Sequence, residues 1–184
     1  SVYSGELDRY TTERLERVAE LREAISTDSL VLHYQPLLSP RDRVVAGYEA
    51  LVRWQHPRHG LLGADEFVPL AEEMGLIRPL DHWVLNAAIR QCRAWSDIGL
   101  CTPIAVNLSM RNILDSQLPG IVSGLLAKWN VPSTLLHLEI TESTIMADPR
   151  KAMEVLAQLR AMRVEISIDD FGTGYSSLSH LKQM

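Results

Sequence analysis

The chain has 184 residues, 46% of them hydrophobic and 22% charged, the balance of one globular domain with a sizeable core rather than of a disordered segment. Its net charge of −5 argues against binding a nucleic-acid polymer through a basic face, but admits a small anionic ligand whose charge a metal and a few arginines offset. No run reaches the ~18 apolar residues of a membrane span, the N-terminus is not a signal peptide, and Cys92 and Cys101 have neither C-x-x-C spacing nor a disulfide framework; the chain reads as a cytosolic module with reduced cysteines, whose parent is free to carry a membrane anchor in another domain.

Residues 11–25 place Leu15, Val18, Leu21 and Ile25 at helical spacing against a charged face of Glu13, Arg14, Glu16, Arg17, Glu20 and Glu23, which predicts an amphipathic helix. The stretch before it has the look of a linker from an upstream domain. Residues 1–29 are therefore assigned to linker and helix, and 30–184 to the folded domain. Leu30 to Leu38 and Val44 to Trp54 read as strands, and the short turn between them makes an antiparallel hairpin.

From there strands alternate with helices, the pattern of a parallel α/β sheet or barrel. Asp65 to Met74 and Leu80 to Asp97 read as helices, and Ile104 to Ser109 as a strand. Ser116 to Asn130 is a predicted helix with Pro119 in its first turn, followed by a strand over His137 to Thr141. Asp148-Pro149 supplies an N-cap and an N1 proline for a helix with an apolar stripe of Ala152, Val155, Leu156, Leu159 and Met162. Val164 to Ile168 is the fifth strand, and a further helix is expected from Ser177. A closed eight-stranded barrel typically takes about 250 residues, so the expectation is an open sheet or an incomplete β/α barrel.

Strand alternation sorts the side chains by face. Gly47, Glu49, Leu51 and Arg53 share one face; Asn107, Glu139 and Asp169 lie on the corresponding faces of later strands, each opposite an apolar set. With the apolar faces buried under helices, Glu49, Asn107, Glu139 and Asp169 converge near the carboxyl ends of the strands, where β/α barrels carry their sites. Three carboxylates and an amide form an oxygen-rich set suited to Mg²⁺ or Mn²⁺. Asp169-Asp170, leading into Phe171-Gly172-Thr173-Gly174-Tyr175-Ser176-Ser177, strengthens that reading: at ~4 Å two such charges repel by about 4 kcal/mol at an effective dielectric near 20, which a divalent cation relieves. An Asx-turn with a helix N-cap is the competing account of that pair. Glu142 reads as an anchor for the 171–177 loop, and Arg53 as either a phosphate clamp or an ion-pair partner of Glu49. The histidines lack metal-ligand spacing and are read mostly as surface or turn residues, and the tryptophans as packing. The residues alone thus point to a metal-dependent hydrolase or lyase.

The stretch Tyr48-Glu49-Ala50-Leu51-Val52-Arg53-Trp54 reads as the E-A-L-x-R signature, and further motifs follow in order: His33-Tyr34-Gln35-Pro36, Gln55-His56-Pro57, Phe67-Val68-Pro69-Leu70-Ala71-Glu72-Glu73, Val106-Asn107-Leu108-Ser109, Glu139-Ile140-Thr141-Glu142-Ser143 and Ile168-Asp169-Asp170-Phe171-Gly172-Thr173-Gly174. Across residues 30–184 the chain closely resembles the EAL family of bacterial cyclic-di-GMP phosphodiesterases. The resemblance implies a β/α barrel with an antiparallel first strand and a Mg²⁺- or Mn²⁺-dependent hydrolysis of cyclic-di-GMP to linear pGpG. It implies Glu49, Asn107, Glu139 and Asp169 as metal ligands, with Asp170 serving a second metal. Gln35, Leu51 and Arg53 would contact the nucleotide, and Glu142 would hold the 171–177 loop. It also implies an upstream GGDEF or sensor domain.

Family members continue into three further strands carrying a catalytic lysine, another acidic ligand and a glutamine. None has a counterpart here, and Lys182 does not match the lysine. The expectation is an incomplete barrel, inactive as a 184-residue piece and with exposed strand edges that invite a second copy. The alternative to a phosphodiesterase is a catalytically silent module that binds cyclic-di-GMP or couples to a neighbouring domain. Its expected sign is a lost ligand, and within this chain none is lost.

Overall fold

The computed structural model describes residues 2–27 and 29–169. Helix α1 (Val2–Ser26) begins at Val2 rather than at residue 11. It lays Leu21 and Ala24 into a small core with Leu30, Trp54, Phe67 and Leu80. Strands β1 (Leu30–Leu38) and β2 (Val45–His56) pair antiparallel, with the register slipping between Leu37 and Leu38. A short third strand absent from the expectation, β3 (Gly60–Leu62), folds back on β2 so that His56 meets Gly60 and Trp54 meets Leu62. Gly60 has φ +73°, a left-handed backbone that suits glycine at this turn.

Helix α2 (Ala64–Glu73) starts where Gly63 donates its N–H to Glu66 Oε1 at 2.9 Å, and Asp65 and Glu66 place negative charge in its first turn. Helix α3 (Ile77–Asp97) begins three residues earlier than expected and presents Leu80, Val84, Leu85, Ala88 and Ile89 to the core. Then come β4 (Ile104–Asn107), a one-turn α4 (Met110–Ile113) and α5 (Leu118–Trp129) with its expected proline at the start. Strand β5 (Leu136–Thr141) leads directly into a short α6 (Glu142–Ala147). Helix α7 (Pro149–Ala161) is capped as the sequence indicates, with Lys151 N donating to Asp148 Oδ1 at 3.1 Å. Strand β6 (Glu165–Asp169) is the last described element; the 171–177 loop and the helix expected from Ser177 lie outside the described residues.

The sheet runs β1-β2-β4-β5-β6 with β3 as a side branch; β2, β4, β5 and β6 are parallel and β1 is antiparallel. Among the described residues it is open, with β1 and β6 at its edges. One face is sealed by α3, α5 and α7, burying Ile104, Val106, Leu136, Leu138 and Ile140 with Leu85, Val122, Val155 and Leu159. Full burial of such a side chain contributes about 1.5–3 kcal/mol, so this face holds the strands in register. The opposite face carries the polar residues.

Candidate active site

The strand ladders set the positions of those polar residues. Gln35, Glu49, Ala105, His137 and Glu165 form one row across the sheet. Asn107, Glu139 and Ser167 form the next row toward the carboxyl ends, and Thr141 and Asp169 are register partners in the row after. The predicted ligands therefore climb a diagonal from Glu49 through Asn107 and Glu139 to the Asp169 position. Such a diagonal follows from the stagger between tilted strands.

Asn107, at the end of β4, donates its Nδ2 to Glu49 Oε1 at 2.8 Å across the sheet. Its other amide atom is a carbonyl oxygen, so the pair offers oxygen donors while the N–H keeps Glu49 in place. Leu108 N donates to Glu139 O at 2.9 Å, which extends the β4–β5 ladder just beyond Asn107. Leu51, Asn107, Glu139 and Thr141 line a pocket of about 400 Å³, walled by Val68 and Pro69 of α2. Larger hollows of about 720 and 850 Å³ lie beside Arg14 and Arg58 and beside Cys101 and Asn130, where none of the predicted ligands converge; volume alone does not mark the site.

The donor chemistry fits a hard divalent cation. Glu49, Asn107 and Glu139 offer oxygen and no sulfur or imidazole at the diagonal. Among the described residues no group of three or more His, Cys, Asp and Glu side chains comes together as a metal cluster. Two of the predicted ligands fall beyond that description: only the backbone of Asp169 is described, and Asp170 is outside the described residues. Glu142 opens α6 immediately after β5, and its side chain is likewise not described.

The remaining predicted residues sort clearly. Gln35 is exposed and stands opposite Glu49 in the hairpin. Leu51 is half-buried on the pocket wall. Arg53 is half-buried with its Nη1 donating to Val52 O at 2.9 Å, and among the described residues it forms no ion pair with Glu49. Glu49 is engaged by the neighbouring strand instead, because residues two apart on one strand stand farther from each other than residues on adjacent strands.

Histidines 33, 59 and 82 are exposed, as expected, but His56 is buried and His137 half-buried. His56 accepts the backbone N–H groups of Arg58 and His59 at Nδ1, 3.1 and 3.3 Å away. That leaves Nε2 as its protonated nitrogen, placed to donate to Glu20 Oε2 of α1 at 3.1 Å.

One buried group escaped the sequence reading. Asp81, on α3, is 6% exposed and accepts Ser109 N at 3.0 Å and Asn112 Nδ2 at 2.6 Å. Burial raises its carboxyl above the ordinary 3.8, outweighing the donors at Ser109 and Asn112, and the charge of Glu72 pushes the same way. Its signal was present: with Leu80, Val84, Leu85 and Ala88 it lies on the apolar stripe of an amphipathic helix, where a carboxylate requires a reason.

The EAL domain family profile matches residues 18–184. The chain belongs to the EAL domain family. It is 44% identical over 183 residues to the bifunctional diguanylate cyclase/cyclic di-GMP phosphodiesterase MucR of Pseudomonas aeruginosa, covering 99% of this chain and 27% of that protein. It is 42% identical to the cyclic di-GMP phosphodiesterase NbdA of the same organism, covering 99% of this chain and 23% of the relative. The chain thus spans about a quarter of the length of these relatives. Among solved structures, a cyclic di-GMP complex of the PaMucR phosphodiesterase superposes with a TM-score of 0.84 at 47% identity, covering 91% of this chain and 68% of that one. The open mixed sheet with its antiparallel first strand is accordingly an EAL-type β/α arrangement, incomplete as a barrel among the described residues.

Proposed function

We propose that the protein carrying this chain hydrolyses cyclic di-GMP to linear pGpG with the help of Mg²⁺ or Mn²⁺. The observation that carries this reading is the 2.8 Å bond from Asn107 to Glu49, with Glu139 beside Asn107 in the ladder, at a pocket by the carboxyl ends of parallel strands. Relatives named for that activity support it.

In this reading Glu49, Asn107, Glu139 and Asp169 hold one cation and Asp170 serves a second. When bound, such ions offset charge on the phosphoryl oxygens and acidify water. The chain's own residues do the positioning. Asn107 keeps Glu49 oriented, and the Arg53 guanidinium is matched to phosphate oxygens. Gln35, level with Glu49, and Leu51, on the pocket wall, contact the nucleotide. Glu142 anchors the 171–177 loop. Residues 1–29 connect the domain to an upstream GGDEF or sensor domain. The activity is proposed for the protein that carries this chain, since the chain spans only about a quarter of the relatives named for it.

The test is turnover of cyclic di-GMP by the full-length protein. Chelation should stop product formation and added Mg²⁺ or Mn²⁺ should restore it, while Glu49→Ala should lower turnover by at least about a thousandfold with the fold intact. Losing an ion worth several kcal/mol sets that scale, at about 1.4 kcal/mol per factor of ten. Unchanged turnover in Glu49→Ala at saturating metal would refute the reading.

A further inference from the structure

Asp81 is on the wall of the same pocket but is not among the predicted ligands, and its placement is costly. A carboxylate at 6% exposure, among described residues without an ion-pair partner, loses hydration that neutral donors replace only in part. An apolar side chain would suit this position of α3 better if packing were the sole requirement. What the carboxylate obtains is a hold on the exit of β4. Its Oδ2 takes the N–H of Ser109, two residues beyond Asn107, together with the Asn112 amide of α4. Asn112 is itself 6% exposed and also donates to Ser109 Oγ at 3.3 Å.

The backbone leaving Asn107 is thereby fixed from two sides. Glu139 O accepts Leu108 N on the sheet side, and Asp81 accepts Ser109 N on the helix side. Asn107 is the last residue of β4, so without these bonds its peptide plane, and with it the direction of its amide, would be set by one side of the ladder only. We infer that Asp81 is a positioning residue for the cation site: by holding the Ser109 amide it fixes how Asn107 presents its side chain to Glu49 and Glu139. The inference rests on the metal-site reading of the preceding subsection.

The test uses the full-length protein and the metal alone, Mn²⁺ titrated and followed by electron paramagnetic resonance, with thermal unfolding measured in parallel. Partners hydrogen-bonded behind metal ligands typically contribute about 10- to 100-fold in affinity. Asp81→Ala should weaken Mn²⁺ binding by about tenfold, at the lower end of that range. Asp81→Asn, whose carbonyl oxygen accepts both donors, should return affinity to within about twofold of wild type. Asn112→Ala, which spares the Ser109 bond, should weaken binding by about threefold. Rescue by the amide is the outcome that a general loss of core packing does not produce.

Asn107→Ala separates the two readings. If it binds Mn²⁺ like wild type, the metal site itself is misassigned. If it loses binding while folded Asp81→Ala keeps wild-type affinity, the positioning role is overturned. Should Asp81→Ala fail to fold, wild-type affinity in Asn112→Ala overturns it equally.

Discussion

The two faces of the parallel strands obey different rules. Toward α3, α5 and α7, Ile104, Val106, Leu136, Leu138 and Ile140 are at most 1% exposed, and burial decides identity. Toward the pocket, Glu49 and Glu139 are half-buried and Asn107 is exposed, and Asn107 donates to Glu49 across strands rather than packing against it. Adjacent residues on a single strand therefore answer to opposite demands. The helix-covered face makes the fold, and the other uses the geometry so created to gather oxygen atoms where no core requires them.

Leu138 and Glu139, neighbours on β5 with opposite orientations, give the sharpest way to break this contrast. Leu138 is 0% exposed, so Leu138→Ala should cost about 2–5 kcal/mol of stability in urea unfolding. Its turnover under conditions where it stays folded should hold near wild type. Glu139→Gln should change stability by no more than about 1 kcal/mol but lower turnover by about a hundredfold or more, as expected of a cation ligand. A Glu139→Gln protein that loses its fold, with activity per folded molecule intact, would dissolve the distinction between the faces.

Long periodic elements were legible in the sequence because alternation and helical spacing record which side is buried. The hairpin, the parallel strands and the caps at Asp148 and Pro119 follow from that. The diagonal of Glu49, Asn107 and Glu139 was legible for the same reason, each being the polar member of an alternating strand. Strand β3 and helices α4 and α6 were not, since three to six residues carry too little periodicity to be distinguished from a turn. The pairing of Arg53 with Glu49 failed because a partner on an adjacent strand, invisible to local spacing, was nearer. Contacts such as His56 with Glu20, 36 residues apart, have no local signature at all.

Asp81 blurs the contrast, being a polar group on the packed side, and pH sharpens what it costs. Its folded carboxyl lies above the ordinary 3.8, so the native state holds its proton more tightly than the unfolded chain. That contribution to stability is present below the unfolded value and is lost as pH rises through the folded one. Asp81→Asn, which has no such proton, should therefore gain on wild type as pH rises from about 3.5 to 7, by about 1.4 kcal/mol for each unit of upward shift. Thermal unfolding at several pH values checks this, and a difference that stays flat or moves the other way counts against the burial account.

The smallest effect concerns the cysteines, which report burial without disturbing it. Cys92 lies on the core side of α3 at 1% exposure, its Sγ 3.4 Å from Leu135 O, and burial pushes its thiol up to about 12. Cys101, on the segment leading into β4, is exposed. Thiolate is the reactive species, so at pH 8 iodoacetamide should modify Cys101 while Cys92 stays unmodified in the native protein. Adding urea should release Cys92 in step with global unfolding, because α3 packs against both the sheet and α5 and opens only when that face separates. Leu138→Ala should advance Cys92 labelling to lower urea, and Glu139→Gln should not. Mass spectrometry of the two cysteine peptides reads both outcomes, and early labelling of Cys92 in Glu139→Gln would mean that the two faces of β5 are energetically coupled.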